Sequence, residues 1–173
     1  MIRIKPKHWD HEADVLVIGS GAAGSSAALS AFDKGVRVIM LEKRNRYGGT
    51  TEKSGGVFWI PNNSFLRAEG VEDTRADAIR YMARLAYPTL YNPEDPNFGL
   101  DKNQYELIAT YYDQAAVAVE NLQKMGALDP TPWIAWDGQF MPDYFAHFEE
   151  NKVPRGRALV PKDPRTGKGV VGG

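Results

Sequence analysis

The chain contains no cysteine, which excludes disulfides, thiolate metal centres and cysteine nucleophiles at once and suits a reducing compartment. It has only three histidines, His8, His11 and His147, too scattered to form a metal-ligand cluster; His8 and His11 read as surface residues. It also lacks net charge: 21 basic against 22 acidic residues leave −1, so no bulk attraction to nucleic acid or an anionic membrane follows. No apolar run approaches the roughly 20 residues of a transmembrane segment, and the basic N-terminal stretch MIRIKPKHWDHEAD has no apolar segment behind it as a secretory signal would. No G-x-S-x-G elbow or P-loop is present. What remains is one globular domain of ordinary make-up, 43% hydrophobic and 25% charged over 173 residues, expected in the cytoplasm.

Three textures divide it. Residues 14–62 alternate short β-type runs with a small-residue helical segment, the pattern of a βαβ unit. Residues 72–126 form a helical insertion: EDTRADAIRYMARLA and QYELIATYYDQAAVAVENLQKM have helical periodicity, Gly126 is placed as a stop, and the proline-rich YPTLYNPEDPNFG between them is a loop. Residues 127–173 are rich in aromatics, Pro and Gly and have little periodicity. Charge divides unevenly too, with 6 basic and 1 acidic residue in 151–173 against 15 basic and 21 acidic before it. That basic tail reads either as a dock for an acidic partner or, more simply, as a solvated loop.

The chemistry concentrates early. Gly19, Gly21 and Gly24 form G-x-G-x-x-G directly after the apolar run Val15–Ile18 and directly before the helical segment. The first glycine permits the strand-to-helix turn, the second lets backbone approach a pyrophosphate, and the third lets the helix lie close on the sheet. Ala22 and Ala23 keep that packing close, and phosphate oxygens would meet the free N–H groups of the helix N-terminus. A second run, Val36–Leu41, ends at Glu42, 18 residues beyond Gly24, near the spacing of a carboxylate that accepts ribose hydroxyls. Its neighbour Lys43, with Arg44 and Arg46, would suit either a 2′-phosphate or a solvated loop, and Glu42 repels the phosphate. The continuation EKRNRYGGTTEKSGGVFWIPNN separates flavin from nicotinamide. Gly48, Gly49, Thr50, Thr51, Ser54, Gly55 and Gly56 offer backbone and small hydroxyls to a ligand longer than NAD, all within 15 residues of Glu42. A bare nicotinamide-binding module requires none of these.

With DVLVIGSGAAGSSAAL, EKRNRYGGTT, SGGVFWIPNN and, more loosely, MPDYFAH and GRALVP, the chain resembles the FAD-dependent oxidoreductases of the fumarate reductase/succinate dehydrogenase flavoprotein class, and among them the 3-ketosteroid Δ1-dehydrogenases. The resemblance implies an α/β fold: a Rossmann-like FAD-binding domain, incomplete here, carrying the helical insertion. It implies hydride transfer from a substrate C–H to flavin N5 while a tyrosine helps remove a proton from the adjacent carbon. The substrate is then an apolar small molecule, a 3-keto steroid or related cyclic ketone, with an enoate or dicarboxylate of the fumarate reductase kind as the alternative.

Tyr144 of PDYF matches one such tyrosine, although a tyrosine relays protons only if its neighbours lower its pKa from about 10 or pass the proton on. The other reading is an aromatic packed in a Trp/Phe-rich segment. Asp143 beside it reads as a loop carboxylate, and Trp133 and Trp136 as packing residues that could otherwise line a substrate pocket. No histidine lies in GGTTEKSGG, so the FAD is expected to be noncovalent. Further helices, a capping domain and a closing FAD segment are expected downstream, which makes the remainder of a flavoenzyme, or a complementary chain, the expected partner. A noncatalytic FAD-binding fragment is the remaining reading.

Overall fold

A computed structural model describes residues 8–171; the first seven residues of the N-terminal stretch and the Gly172–Gly173 end of the basic tail lie outside the described residues. The chain divides into two compact units between Gly55 and Gly56, short of the residue 62 at which the sequence reading ends its βαβ segment.

In the first unit, β1 (Val15–Ile18), α1 (Ala22–Asp33) and β2 (Val38–Leu41) form a right-to-plan βαβ segment whose strands pair in parallel, Val15 opposite Val38 through Ile18 opposite Leu41. Asp14 fixes the start of that register by accepting the Arg37 backbone N–H and gripping its guanidinium. A one-turn 3₁₀ helix, Thr51–Lys53, follows in the glycine loop. Parallel strands of this all-apolar kind are ordinarily covered on both faces. Here Ile18 is 82% and Phe32 73% exposed, and α1 buries no residue fully. This is a βαβ unit whose two strands leave much of their apolar surface uncovered.

The second unit is better enclosed. Its short α2 (Ser64–Ala68) is capped by Asn63, whose buried amide also donates to the carbonyls of Ile60 and Gly156. Thr74 caps α3 (Arg75–Ala86), and Asp101 with Gln104 forms a capping box on α4 (Lys102–Lys124). Ile79 and Ala83 pack with Ile108, Ala109 and Leu100. Beside this helix pair lies an antiparallel sheet of order β3 (Phe58–Trp59), β5 (Ala158–Pro161), β4 (Pro130–Pro132), with Ile60, Ala115, Ala116 and Leu159 as a second core.

Two of these strands arise from residues 127–173, where the sequence shows no strand period. The reason is local: β4 is Pro-Thr-Pro, tolerable because it lies at a sheet edge where missing N–H donors break few ladder bonds. β5 is buried on both faces and so does not alternate. The basic tail is not a free charged surface. Arg155 pairs with Asp137, Lys162 with Asp129 and Arg165 with Asp163, while Arg157 is wholly buried.

Arg157 holds this unit together. Its guanidinium makes a bidentate pair with Asp73 (2.9 and 2.7 Å) and donates to Asp143 (2.8 Å) and Asn151 (2.9 Å), under the rings of Trp59 and Tyr81. Burial opposes the Arg157 charge, but the Asp73 and Asp143 carboxylates outweigh it and hold the group firmly protonated. Arg157→Leu leaves two buried carboxylates uncompensated and is expected to cost about 3–5 kcal/mol. Chemical denaturation followed by tryptophan emission should show this loss, with Lys152→Ala, at an exposed position, staying within about 0.5 kcal/mol of the parent.

Candidate functional site

The glycine turn of the first unit is built by contacts that leave no room for side chains. Gly19 donates its N–H to the Leu41 carbonyl at 2.7 Å, joining the turn to the end of β2. A Cβ on Gly24 would lie 1.9 Å from the Gly19 carbonyl oxygen, so only glycine lets α1 start where it does. Gly49, at φ +57°, would place a Cβ 3.2 Å from the Gly21 Cα, which brings the second glycine pair against the first. Gly21 differs: a Cβ there meets nothing nearer than the Gly48 carbonyl at 3.9 Å, and as N-cap it supplies no side-chain acceptor to the first turn of α1. The start of α1 is thus left without a side-chain cap and with open space beside Gly21, features an anion at a helix N-terminus would use.

At the end of β2, Glu42 accepts both the backbone N–H (3.0 Å) and the hydroxyl of Ser20 on Oε2, and the Arg44 N–H (3.0 Å) on Oε1. The Ser20 hydroxyl and these backbone donors hold its carboxyl down to about 2, well below the usual carboxylate range. Lys43 projects into solvent beside it. Thr50 caps the 3₁₀ turn that begins at Thr51, whose carbonyl accepts the Ser54 hydroxyl at 2.8 Å. Gly55 closes the first unit, whereas Gly56 belongs to the second and lies against Pro161. The structure therefore gathers Gly19, Gly21, Ala22, Ala23, Gly24, Glu42, Gly48 and Gly49 around one turn. Ser20, which the sequence reading passes over as a spacer between two glycines, joins their centre.

The second unit holds an apolar cavity of about 900 Å³, a size that suits a polycyclic small molecule. Trp59, Met82, Leu107, Tyr111, Trp133 and Tyr144 are among its walls. Tyr144 is 85% exposed at the rim, and its carbonyl accepts the Tyr81 hydroxyl. Burial, reinforced by the Asp143 charge, pushes the Tyr81 phenol up to about 12, so it remains a donor at neutral pH.

Asp143 is not the loop carboxylate its sequence context implies. It is buried against Arg157, and desolvation pushes its carboxyl upward against the pull of that guanidinium. The two tryptophans also separate: Trp133 lines the cavity, whereas Trp136 is fully exposed and packs on nothing. Among the described residues no group of His, Asp and Glu is placed to hold a metal. No described helix is long and apolar enough to cross a membrane.

A family profile described as "FAD binding domain" matches residues 14–170. The chain belongs to this FAD-binding family. It is 35% identical over 153 residues to a 3-oxosteroid 1-dehydrogenase of Mycolicibacterium smegmatis, covering 87% of this chain and 23% of that protein. It is 34% identical over 155 residues to a 4-oxocyclohex-2-ene-1-carboxylate 5-dehydrogenase of Sinomonas cyclohexanicum, covering 87% and 22% respectively. Among solved structures, a 3-ketosteroid Δ1-dehydrogenase of Sterolibacterium denitrificans, in complex with 1,4-androstadiene-3,17-dione, superposes with a TM-score of 0.61 at 31% identity, over 86% of this chain and 23% of that one. The chain thus spans about a quarter of the length of these relatives.

The cofactor of the family is FAD, and the residues of the turn fit it. The N-cap position at Gly21 carries no side-chain cap and has open space beside it, which would admit a pyrophosphate, and Glu42 holds an ionised carboxylate that would accept from a ribose. The two kinds of glycine give opposite expectations. Gly21→Val adds a side chain into open space at an extended backbone position, so melting temperature should change little while FAD affinity collapses. Gly24→Ala drives a methyl into the Gly19 carbonyl, so the fold itself should weaken. Thermal melts beside flavin-fluorescence titrations of the two variants check both.

Proposed function

We propose that this FAD-binding chain is the cofactor-binding part of a dehydrogenase that desaturates a 3-keto steroid or related cyclic ketone beside its carbonyl. The observation that carries the reading is the apolar cavity with Tyr144 at its rim. Two relatives whose names denote the oxidation of ring ketones support it, as does the steroid dione in the similar solved structure. FAD, when bound, supplies the hydride acceptor.

This chain's own residues then divide the rest of the work. The turn at Gly19–Gly24 and the loop at Gly48–Gly49 bind the pyrophosphate, and Glu42 accepts from the ribose. The residues Lys43, Thr50, Thr51, Ser54, Gly55 and Gly56 complete the loop that follows the cofactor toward its ring. Trp59, Leu107, Tyr111 and Trp133 exclude water from an apolar ring system. Tyr144 assists removal of the proton from the carbon next to the one that loses hydride, so that the two electrons left behind close the C=C bond. Its hydroxyl does this as a relay, taking up the substrate proton while passing its own onward. With no histidine in residues 48–56, the FAD is held noncovalently.

The exposed apolar residues of β1 and β2 support a further part of the proposal, that the first unit needs additional polypeptide to cover its sheet. Expressed alone, residues 1–173 should aggregate or bind FAD weakly and turn over no substrate. Supplying the remainder of the flavoenzyme as a complementary chain should restore both.

The decisive assay uses the complemented enzyme with an artificial electron acceptor. Turnover of a planar 3-keto steroid is expected, and Tyr144→Phe should lower kcat by about 10²–10⁴-fold with FAD content unchanged. Efficient fumarate reduction with no turnover of any ketosteroid would decide instead for the enoate reductase reading.

A further inference from the structure

We infer that Ser20 is a positioning residue for FAD, its hydroxyl fixing the Glu42 carboxylate and the Gly48 amide in the arrangement that the cofactor meets. The inference rests on the assignment of FAD to these same loops, and it goes beyond the glycines and the acid of the motif. Ser20 is buried, unlike the residues on either side of the turn that face open space. Its backbone N–H and its hydroxyl both donate to Glu42 Oε2, at 3.0 and 2.5 Å. The same hydroxyl accepts the Gly48 N–H at 3.0 Å, and the Ser20 carbonyl accepts the Ser25 hydroxyl at 3.0 Å. One small side chain therefore ties together the first glycine turn, the end of β2, the second glycine loop and the first turn of α1.

The count of hydrogen-bonding positions shows what this does for a ligand. A hydroxyl has one proton to give and lone pairs to receive; here Glu42 takes the proton and Gly48 fills an acceptor position. A carboxylate has about four acceptor positions. Ser20 donates twice to Oε2 and the Arg44 N–H donates to Oε1, so the clamp on Oε2 sets the direction in which Oε1 would meet a ligand hydroxyl. A glutamate on its own carries considerable rotamer freedom, which binding must otherwise suppress. With two donors clamping one oxygen, the other is presented in a fixed direction before the ligand arrives. Without the Ser20 hydroxyl, Glu42 is released and the Gly48 N–H loses its partner.

The charged groups around Glu42 do not substitute for this clamp. On its own strand end, Lys43 and Arg44 reach it through backbone N–H groups while their side chains extend into solvent. Arg46 pairs with Glu52 across the loop. The first turn of α1 carries no acidic residue. Ser20 is the largest contributor to holding the Glu42 carboxyl low, so its removal should let that group take up a proton at a higher pH. Because the ribose acceptor must be ionised, FAD binding by the parent should hold down to strongly acid pH. In Ser20→Ala it should begin to fall as the pH approaches the ordinary carboxylate range.

The test is FAD titration of the 173-residue chain complemented with the remainder of the flavoenzyme, read by flavin fluorescence between neutral pH and about pH 4. Ser20→Ala is expected to weaken FAD about tenfold at neutral pH, the loss of one charge-assisted hydrogen bond, and to move the acid limb upward. Ser20→Thr, which keeps the hydroxyl, should recover most of the affinity. In a Glu42→Ala background the Ser20→Ala change should add less than about twofold, because a residue acting through Glu42 has nothing left to position. Fully additive losses, or a Ser20→Ala variant with parental affinity and parental pH profile, overturn the proposal alone. Failure of the complemented parental protein to take up FAD overturns it together with the cofactor reading of the loops. Carboxyl titration of Glu42 by carbon NMR in the complemented, cofactor-free protein gives an independent readout: an upward shift in Ser20→Ala is expected, and an unshifted carboxyl overturns the positioning link.

Discussion

A guanidinium enclosed away from water must be matched charge for charge, and the second unit is arranged around that requirement at Arg157. Its partners come from far apart in the chain: Asp73 just before α3, and Asp143 and Asn151 in the loop ahead of β5. The rings of Trp59 on β3 and Tyr81 on α3 lie 5.1 and 5.2 Å from the charge. Replacing such a network with apolar groups can be energetically neutral, so its value lies less in net stability than in allowing one arrangement of its members. Those members are also cavity walls. Trp59, Tyr81, Asp143 and Ala158 all face the apolar cavity, and Tyr144 follows Asp143 directly, with its carbonyl held by Tyr81. The shape of the cavity is thus inherited in part from an ion pair behind its wall.

The first unit is specified by a different force. Charge matters there only at Glu42, while steric exclusion does the rest: a single methyl at Gly24 would overlap a carbonyl oxygen, and one at Gly49 would press on Gly21. Close approach of backbone to backbone leaves amides pointing into open space, which is what a pyrophosphate requires and what no side chain could provide without filling that space. The glycines carve the site, and Ser20 with Glu42 fixes its edge.

This difference explains how much could be read from residues alone. Sterically enforced features leave a signature at fixed spacing, so β1, the glycine turn, α1 and the acid ending β2 are legible, and β1 falls on the residues expected. Helices α3 and α4 are legible because their apolar residues recur at helical spacing and Gly126 marks the end of the second, whereas their caps, Thr74 and Asp101 with Gln104, emerge in the structure. Arg157 is not legible, since a partner 84 positions away leaves no periodic trace, and in a basic tail it reads as one more solvated charge. Asp143 is missed for the same reason. Strand β4 is missed because prolines mark a loop unless the strand is already known to lie at an edge. Ser20 was visible in the motif but silent, because its importance depends on Glu42 and Gly48, which approach it only in three dimensions.

The two units also differ in what sustains them. The second has capped helices, two apolar clusters and a neutralised buried charge; the first has a two-stranded parallel sheet with Leu16, Ile18 and Leu41 open to solvent. Two strands are too few to be stable by themselves, and a run such as Val-Leu-Val-Ile belongs to a strand buried on both faces. For such a unit ligand binding and folding are one equilibrium, because any ligand that engages only the ordered turn stabilises the fold by mass action. In the proposed site, FAD would meet groups contributed by every segment of the turn: the start of α1, the carboxylate after β2 and the second glycine loop. Ser20 already bonds to the last two and lies next to the first, so the contacts that order the cofactor site are also those that hold the strand, the helix and the loop together. Substitutions that break these contacts, unlike a side chain added in the open space at Gly21, therefore weaken cofactor affinity and the βαβ unit together.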